Sequence, residues 1–223
     1  MPSNPNREYR SMPLNIEKRA EGEEKSYIVE GYATTFGDKY ELYRDGKYIV
    51  MEQVDRDAFA NTDMSDVVFQ FDHEGRVYAR TKNGTVELTV DNIGLHQKTD
   101  LGRTSSSRAA FEDIEVGNYY QMSFAFTVTG DEYEEEEQEN GDIILTRTIK
   151  EIGKLYDVSA VSFPANPYTS ISARTKELCD GEIAKIEAER LHREEIKQMR
   201  MKILERLNHK EESTDERDQR NAD

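Results

Sequence analysis

The sequence predicts a mainly β fold of the α+β class with a helical extension at its C-terminal side, and three observations point there. Short runs of alternating apolar and polar residues recur between turn-forming pairs over residues 26–163. Within that span only "TSSSRAAFEDIEVGN", residues 104–118, combines hydroxyl caps, good helix formers and a terminal glycine. From Lys176 onward the chain becomes a nearly unbroken helix-favouring run.

Taken in order, residues 1–25 are polar and carry three prolines, so a flexible leader is expected. Order begins at "KSYIVEGYATTFG", where Tyr27, Val29 and Gly31 alternate with Ile28 and Glu30 as in a strand. "GDKYELYRDGKYIVMEQV" reads as a hairpin turning at Asp45-Gly46, and "DRDAFANT" as a short helical turn capped by Asp55 or Asp57. Strands follow at residues 67–73, 85–91 and 94–101, the second entered from the Asn83-Gly84 turn. After the helix come "GNYYQMSFAFTV", "DIILTRTIKEIG" and "LYDVSAVSF", the last stopped by "PANP" because proline cannot continue a ladder. Between the first two lies "DEYEEEEQENGD", residues 131–142, with eight acidic residues and no basic one. Such a block is expected to be a disordered, self-repelling loop joining an antiparallel hairpin, with docking to a basic partner as the alternative. Residues 26–175 therefore form the expected ordered domain. Residues 176–208 form a helical arm, whose imperfect stripe of Ile183, Ile186, Ile196, Met199, Ile203 and Leu207 suits a partner helix or self-packing. Residues 209–223 read as a disordered tail.

Composition closes off several function classes. A net charge of −16 over 223 residues argues against a nucleic-acid binder, which needs clustered cations to neutralise phosphates. No run approaches the ~20 apolar residues of a membrane span, and the first 25 residues lack the apolar segment of a secretory signal. A soluble, intracellular protein without membrane contact is expected. Cys179 stands alone, which excludes an internal disulfide and a cysteine-rich zinc site. Asp72, His73 and Glu74 are adjacent, so strand alternation sends their side chains apart and no shared metal is expected. Nothing in the chain calls for an organic cofactor.

The chemistry turns on Ser123. In "QMSFAF" Met122, Phe124 and Phe126 share one strand face, while Ser123, Ala125 and Thr127 share the other with small neighbours. Two readings stay open at this point: a small packed hydroxyl, or a nucleophile on a rigid support. A nucleophile needs a base and a group to orient that base. His192 and His209 lie in the arm and tail, which leaves His73, at a strand end beside Gly75, and His96, in mid-strand among polar residues. For the orienting acid, Asp157 interrupts an apolar strand, where a carboxylate without a partner would be costly; Glu151 is the reserve.

Six segments in sequence, "VEGYATTFG", "EQVDRDAF", "FQFDHE", "GTVELTVDNIGL", "QMSFAF" and "LYDVSAVSFPANP", together resemble the prohead serine protease family of tailed bacteriophages, of the HK97 type. The resemblance spans residues 27–173. It implies an assemblin-like fold, a closed or nearly closed antiparallel β-barrel surrounded by helices. It implies a protease that cleaves the major capsid protein and scaffold segments inside the procapsid in the bacterial host cytoplasm, commonly with self-processing. By position the family's histidine falls on His73 and its serine on Ser123. Where the family usually shows Glu-Val-Ser this chain has Asp157-Val158-Ser159, and assemblin's second histidine keeps His96 as an alternative third member. Assemblin-like enzymes add an arginine to the oxyanion site, for which Arg147 is the candidate. The competing reading is an assembly module of the same fold in which Ser123 is inert, and homo-oligomerisation stays open.

Overall fold

The computed structural model describes residues 7–13, 15–16, 26–162 and 173–220. In chain order its elements are β1 (Glu8–Pro13), β2 (Asn15–Ile16), β3 (Ile28–Thr35), β4 (Tyr40–Asp45), β5 (Tyr48–Val54), β6 (Val68–Phe71), β7 (Glu74–Arg80), β8 (Val86–Val90), β9 (Gly94–Asp100), α1 (Ser105–Glu115), β10 (Gln121–Glu137), β11 (Ile143–Val161) and α2 (Ala173–Arg220). The chain divides into two units, Met1–Lys176 and Glu177–Asp223.

In the first unit, one sheet runs β1-β10-β11-β5-β4, with β6 paired to the far stretch of β11 and β7 paired to β6; the other runs β2-β3-β9-β8. Both sheets and α1 share one core, in which Val29, Leu95, Phe69, Phe111, Phe124, Phe126, Ile149 and Leu155 are buried. Helix α1 starts and stops where its sequence says it should. Thr104 caps it in a reciprocal box with Ser107, and Gly117, at φ 86°, takes the left-handed position after its end.

Several expectations are overturned. Neither sheet closes into a barrel among the described residues, and the large sheet is mixed, because β11 runs parallel to both β5 and β6. The β10–β11 ladder is interrupted by four register shifts. The leader is not wholly a tail: Glu8–Pro13 pairs antiparallel with β10. Glu8 and Arg10 of β1 also reach Arg147 of β11 and Glu52 of β5, so charge rather than a hydrogen-bonded ladder joins β1 to those two strands.

The acidic block is not a loop either. Asp131 to Glu137 pair residue by residue with Ile149 to Ile143, and the reversal is confined to Gln138–Asp142, helped by Gly141 at φ 87°. The strongly β-forming "IILTRTI" supplies the template, and Asp131–Arg147 and Glu132–Lys150 contacts offset the self-repulsion. Nor does Gly153 separate two strands, since β11 passes straight through it. A Cβ there would come within 2.7 Å of the Thr129 side chain, so the glycine permits close approach rather than ending the ladder. "DRDAFANT" forms turns, with Asp55 Oδ1 accepting from the Asp57 N–H, but no helix.

In the second unit α2 continues through Arg220, where a disordered tail was expected. Along it Leu191, Met199, Met201, Ile203 and Leu204 are exposed, and the Leu207 side chain lies outside the described residues. No described helix is long and apolar enough to cross a membrane.

Candidate active site

Strand register brings the site together. Ser11 of β1, Ser123 of β10, Ser159 of β11 and Gln70 of β6 are consecutive partners across four strands, and directly paired residues share a face. The next row on that face holds Tyr9, Ala125, Asp157 and Val68. Met122, Phe124 and Phe126 point the other way and are wholly buried; the two phenylalanine rings stack at 4.6 Å. Burial contributes roughly 1.5–3 kcal/mol for each such side chain, which makes the strand under Ser123 a stiff support.

His73 arrives from the β6–β7 hairpin. Its two-residue turn is Asp72-His73, with φ of 48° and 60°, the backbone that hairpins usually assign to Asn-Gly. A left-handed conformation costs an L-residue on the order of 1–2 kcal/mol, and aspartate and histidine tolerate it better than most. The turn is tied to the end of β11. The Asp72 N–H donates to the Ala160 carbonyl at 3.0 Å, and Asp72 Oδ1 accepts from both the N–H and the hydroxyl of Ser162 at 2.9 Å. On its other flank Phe71 stacks on Tyr119 at 4.1 Å. A strained turn held this firmly has one evident product: an imidazole aimed back over the sheet.

That imidazole stands between the two strands' polar groups. His73 Nε2 is 2.7 Å from Ser123 Oγ, and His73 Nδ1 is 2.6 Å from Asp157 Oδ1. A carboxylate only accepts, so Nδ1 carries the hydrogen and Nε2 is left free to accept from the serine hydroxyl. Ser159 Oγ donates to the same Asp157 oxygen at 2.7 Å, and the Tyr9 ring meets the imidazole edge-on at 4.5 Å between centroids. Ser123 is 2% exposed and Asp157 1%, while the imidazole between them keeps 17% of its surface open.

The other named residues lie elsewhere. His96, on β9 of the smaller sheet, packs its ring against Tyr32 at 5.1 Å, and Glu151 is an exposed partner of Gly130. Arg147 is not an oxyanion donor of this site. Its guanidinium is occupied by Glu8 at 2.7 Å, Glu52 at 2.9 Å and Asp131 at 2.7 Å. Burial alone would raise the Glu8 carboxyl, but the hydrogen bond from Arg147 and the charges of Arg10 and Arg147 outweigh it and hold it down at about 2. Sequence reasoning missed Ser159 and Tyr9. The first was available from its place two residues after Asp157 on one strand face; nothing local to "EYRSMP" announces the second. Among the described residues no cluster of three or more acidic, histidine or cysteine side chains is placed to hold a metal.

Hydroxyl, imidazole and carboxylate linked in this order are the arrangement with which serine hydrolases attack a carbonyl carbon. The family model of the caudovirus prohead serine proteases matches residues 14–183 of the chain. The chain belongs to that family, which bears out the resemblance drawn from its segments. No curated protein and no solved structure matches it.

Proposed function

We propose that the protein is a maturation endopeptidase that cleaves capsid and scaffold polypeptides inside the phage procapsid, with Ser123 as nucleophile, His73 as general base and Asp157 as the group that orients it. The observation that carries this reading is the unbroken chain Ser123 Oγ, His73 Nε2, His73 Nδ1, Asp157 Oδ1, with contacts of 2.7 and 2.6 Å. Ser123 attacks the scissile carbonyl as Nε2 takes its proton, and the imidazolium returns that proton to the leaving amine. Water then attacks the acyl-enzyme by the same path in reverse. Asp157 keeps the imidazole in the Nδ1–H tautomer and offsets the positive charge that forms on it. Self-processing is part of the same reading, with the exposed stretch of α2 from Leu191 to Leu204 as a segment open to a neighbouring copy.

The test is coexpression with the matching capsid protein, comparing wild type with Ser123→Ala by intact mass. Wild type is expected to shorten the capsid polypeptide. The variant is expected to fold normally and to lower turnover by on the order of 10⁴-fold or more, leaving the substrate at full length. Equal processing by both proteins would rule out Ser123 as the nucleophile. Procapsid binding without processing by either would favour an inert assembly module.

A further inference from the structure

We propose that Ser159 is a positioning residue of this site: its hydroxyl decides which oxygen of Asp157, in which plane, meets the His73 imidazole. The inference rests on the proteolytic reading above. It starts from the weakness of aspartate as an orienting group. The strand fixes the Asp157 backbone, but rotation about the bond to its carboxyl group is soft and nearly two-fold, so the two oxygens are interchangeable unless something distinguishes them.

Among the described residues only two donors reach this carboxylate, and both reach Oδ1: His73 Nδ1 at 2.6 Å and Ser159 Oγ at 2.7 Å. The other oxygen, Oδ2, is buried without a hydrogen-bond partner. If the Ser159 hydroxyl were absent, the only bond fixing the carboxylate would be the one to the imidazole it is meant to orient. Each group would then rest on the other, and a turn of the carboxylate would carry the ring with it. Ser159 breaks that circularity from outside. It is itself fully buried, sits directly opposite Ser123 in the ladder, and directs its hydroxyl to Asp157 rather than toward the base. The residue beside the nucleophile thus serves the acid, and the same strand pair that fixes Ser123 fixes the imidazole's support.

The experiment uses the full chain with Ser159→Ala and with Ser159→Cys, the latter keeping the volume while offering only a weak donor. Two readouts are taken. One is the rate at which a fluorophosphonate labels Ser123; the other is the ¹⁵N and low-field ¹H NMR signature of the His73 Nδ1–H tautomer. Both variants are expected to melt at a temperature near that of wild type and to label about 10- to 100-fold more slowly, short of the roughly 10⁴-fold that a wrong tautomer costs. The Nδ1–H signal should weaken in parallel. Wild-type labelling together with an unchanged Nδ1–H signal in both variants would overturn the proposal. If wild type itself never labels, the proteolytic reading fails instead, and the NMR comparison, which needs no reaction, still decides the role of Ser159.

Discussion

At one end of the β10–β11 hairpin, around Ser123 and Ser159, a buried carboxylate keeps one oxygen without a hydrogen-bond partner among the described residues. Toward the other end, Arg147 meets Glu8, Glu52 and Asp131, and Arg10 meets Glu8 and Glu52 as well as the Tyr9 carbonyl. Tyr40 adds its hydroxyl to Glu52. Both ends bury charge on the same pair of strands, yet only the second is saturated. The contrast separates two uses of a buried charge. One that holds strands together is best fully bonded, because every missing bond is a desolvation cost without return. One that supports a proton transfer needs its few bonds directed along the path the proton takes, with nothing competing for the imidazole.

Three substitutions or conditions test that division, starting with the largest effect. Asp157→Asn keeps the shape of the side chain but can present an amide where a carboxylate accepted, so the imidazole loses its preferred tautomer. Turnover of the capsid polypeptide should fall on the order of 10⁴-fold with the melting temperature nearly unchanged. A loss of stability matching that of the ion cluster would erase the distinction between the two ends. Arg147→Met is the mirror image. It leaves Glu8 and Glu52 sharing Arg10 as their one remaining cationic partner among the described residues, for which a loss of about 3 kcal/mol is expected in urea unfolding, and the protein that remains folded should label Ser123 at the wild-type rate. A slower rate at full folding would link the two ends and break the comparison.

The third is pH. The Glu8 carboxyl is held at about 2 in the fold against an ordinary value of 4.5, so its contribution to stability is complete above pH 4.5 and is lost as pH falls from there toward 2. In circular dichroism titrations Glu8→Gln should therefore be less stable than wild type near neutrality, with the gap narrowing through that acid window. A gap that stays constant down to pH 2 would show that Glu8 is not held by its cationic neighbours.

What the sequence made legible follows from where polar residues interrupt apolar ones. Ser123 and Asp157 stood out because each breaks a strand of core residues, and His73 because it sits at a strand end before a glycine. Their meeting point depended on register, which no single segment states. The acidic strand was hidden because self-repulsion is a local property of "DEYEEEE", whereas the ladder that overrides it lies in Ile143–Ile149. Arg147 was visible as a cation in a β run, but its carboxylate partners include Glu8 and Glu52, far off in the chain. Family analogy supplied a role that its neighbours do not allow. The strand β1 was invisible for the same reason: its partners are residues 121–126, and its own six residues are ordinary.

In that first strand Tyr9 lies edge-on against the His73 ring, while its neighbours Glu8 and Arg10 bond Arg147 and Glu52, so one short strand serves both ends of the hairpin. Loss of Glu8–Arg10 would take away the aromatic neighbour of His73 and a carboxylate partner of Arg147 in a single step.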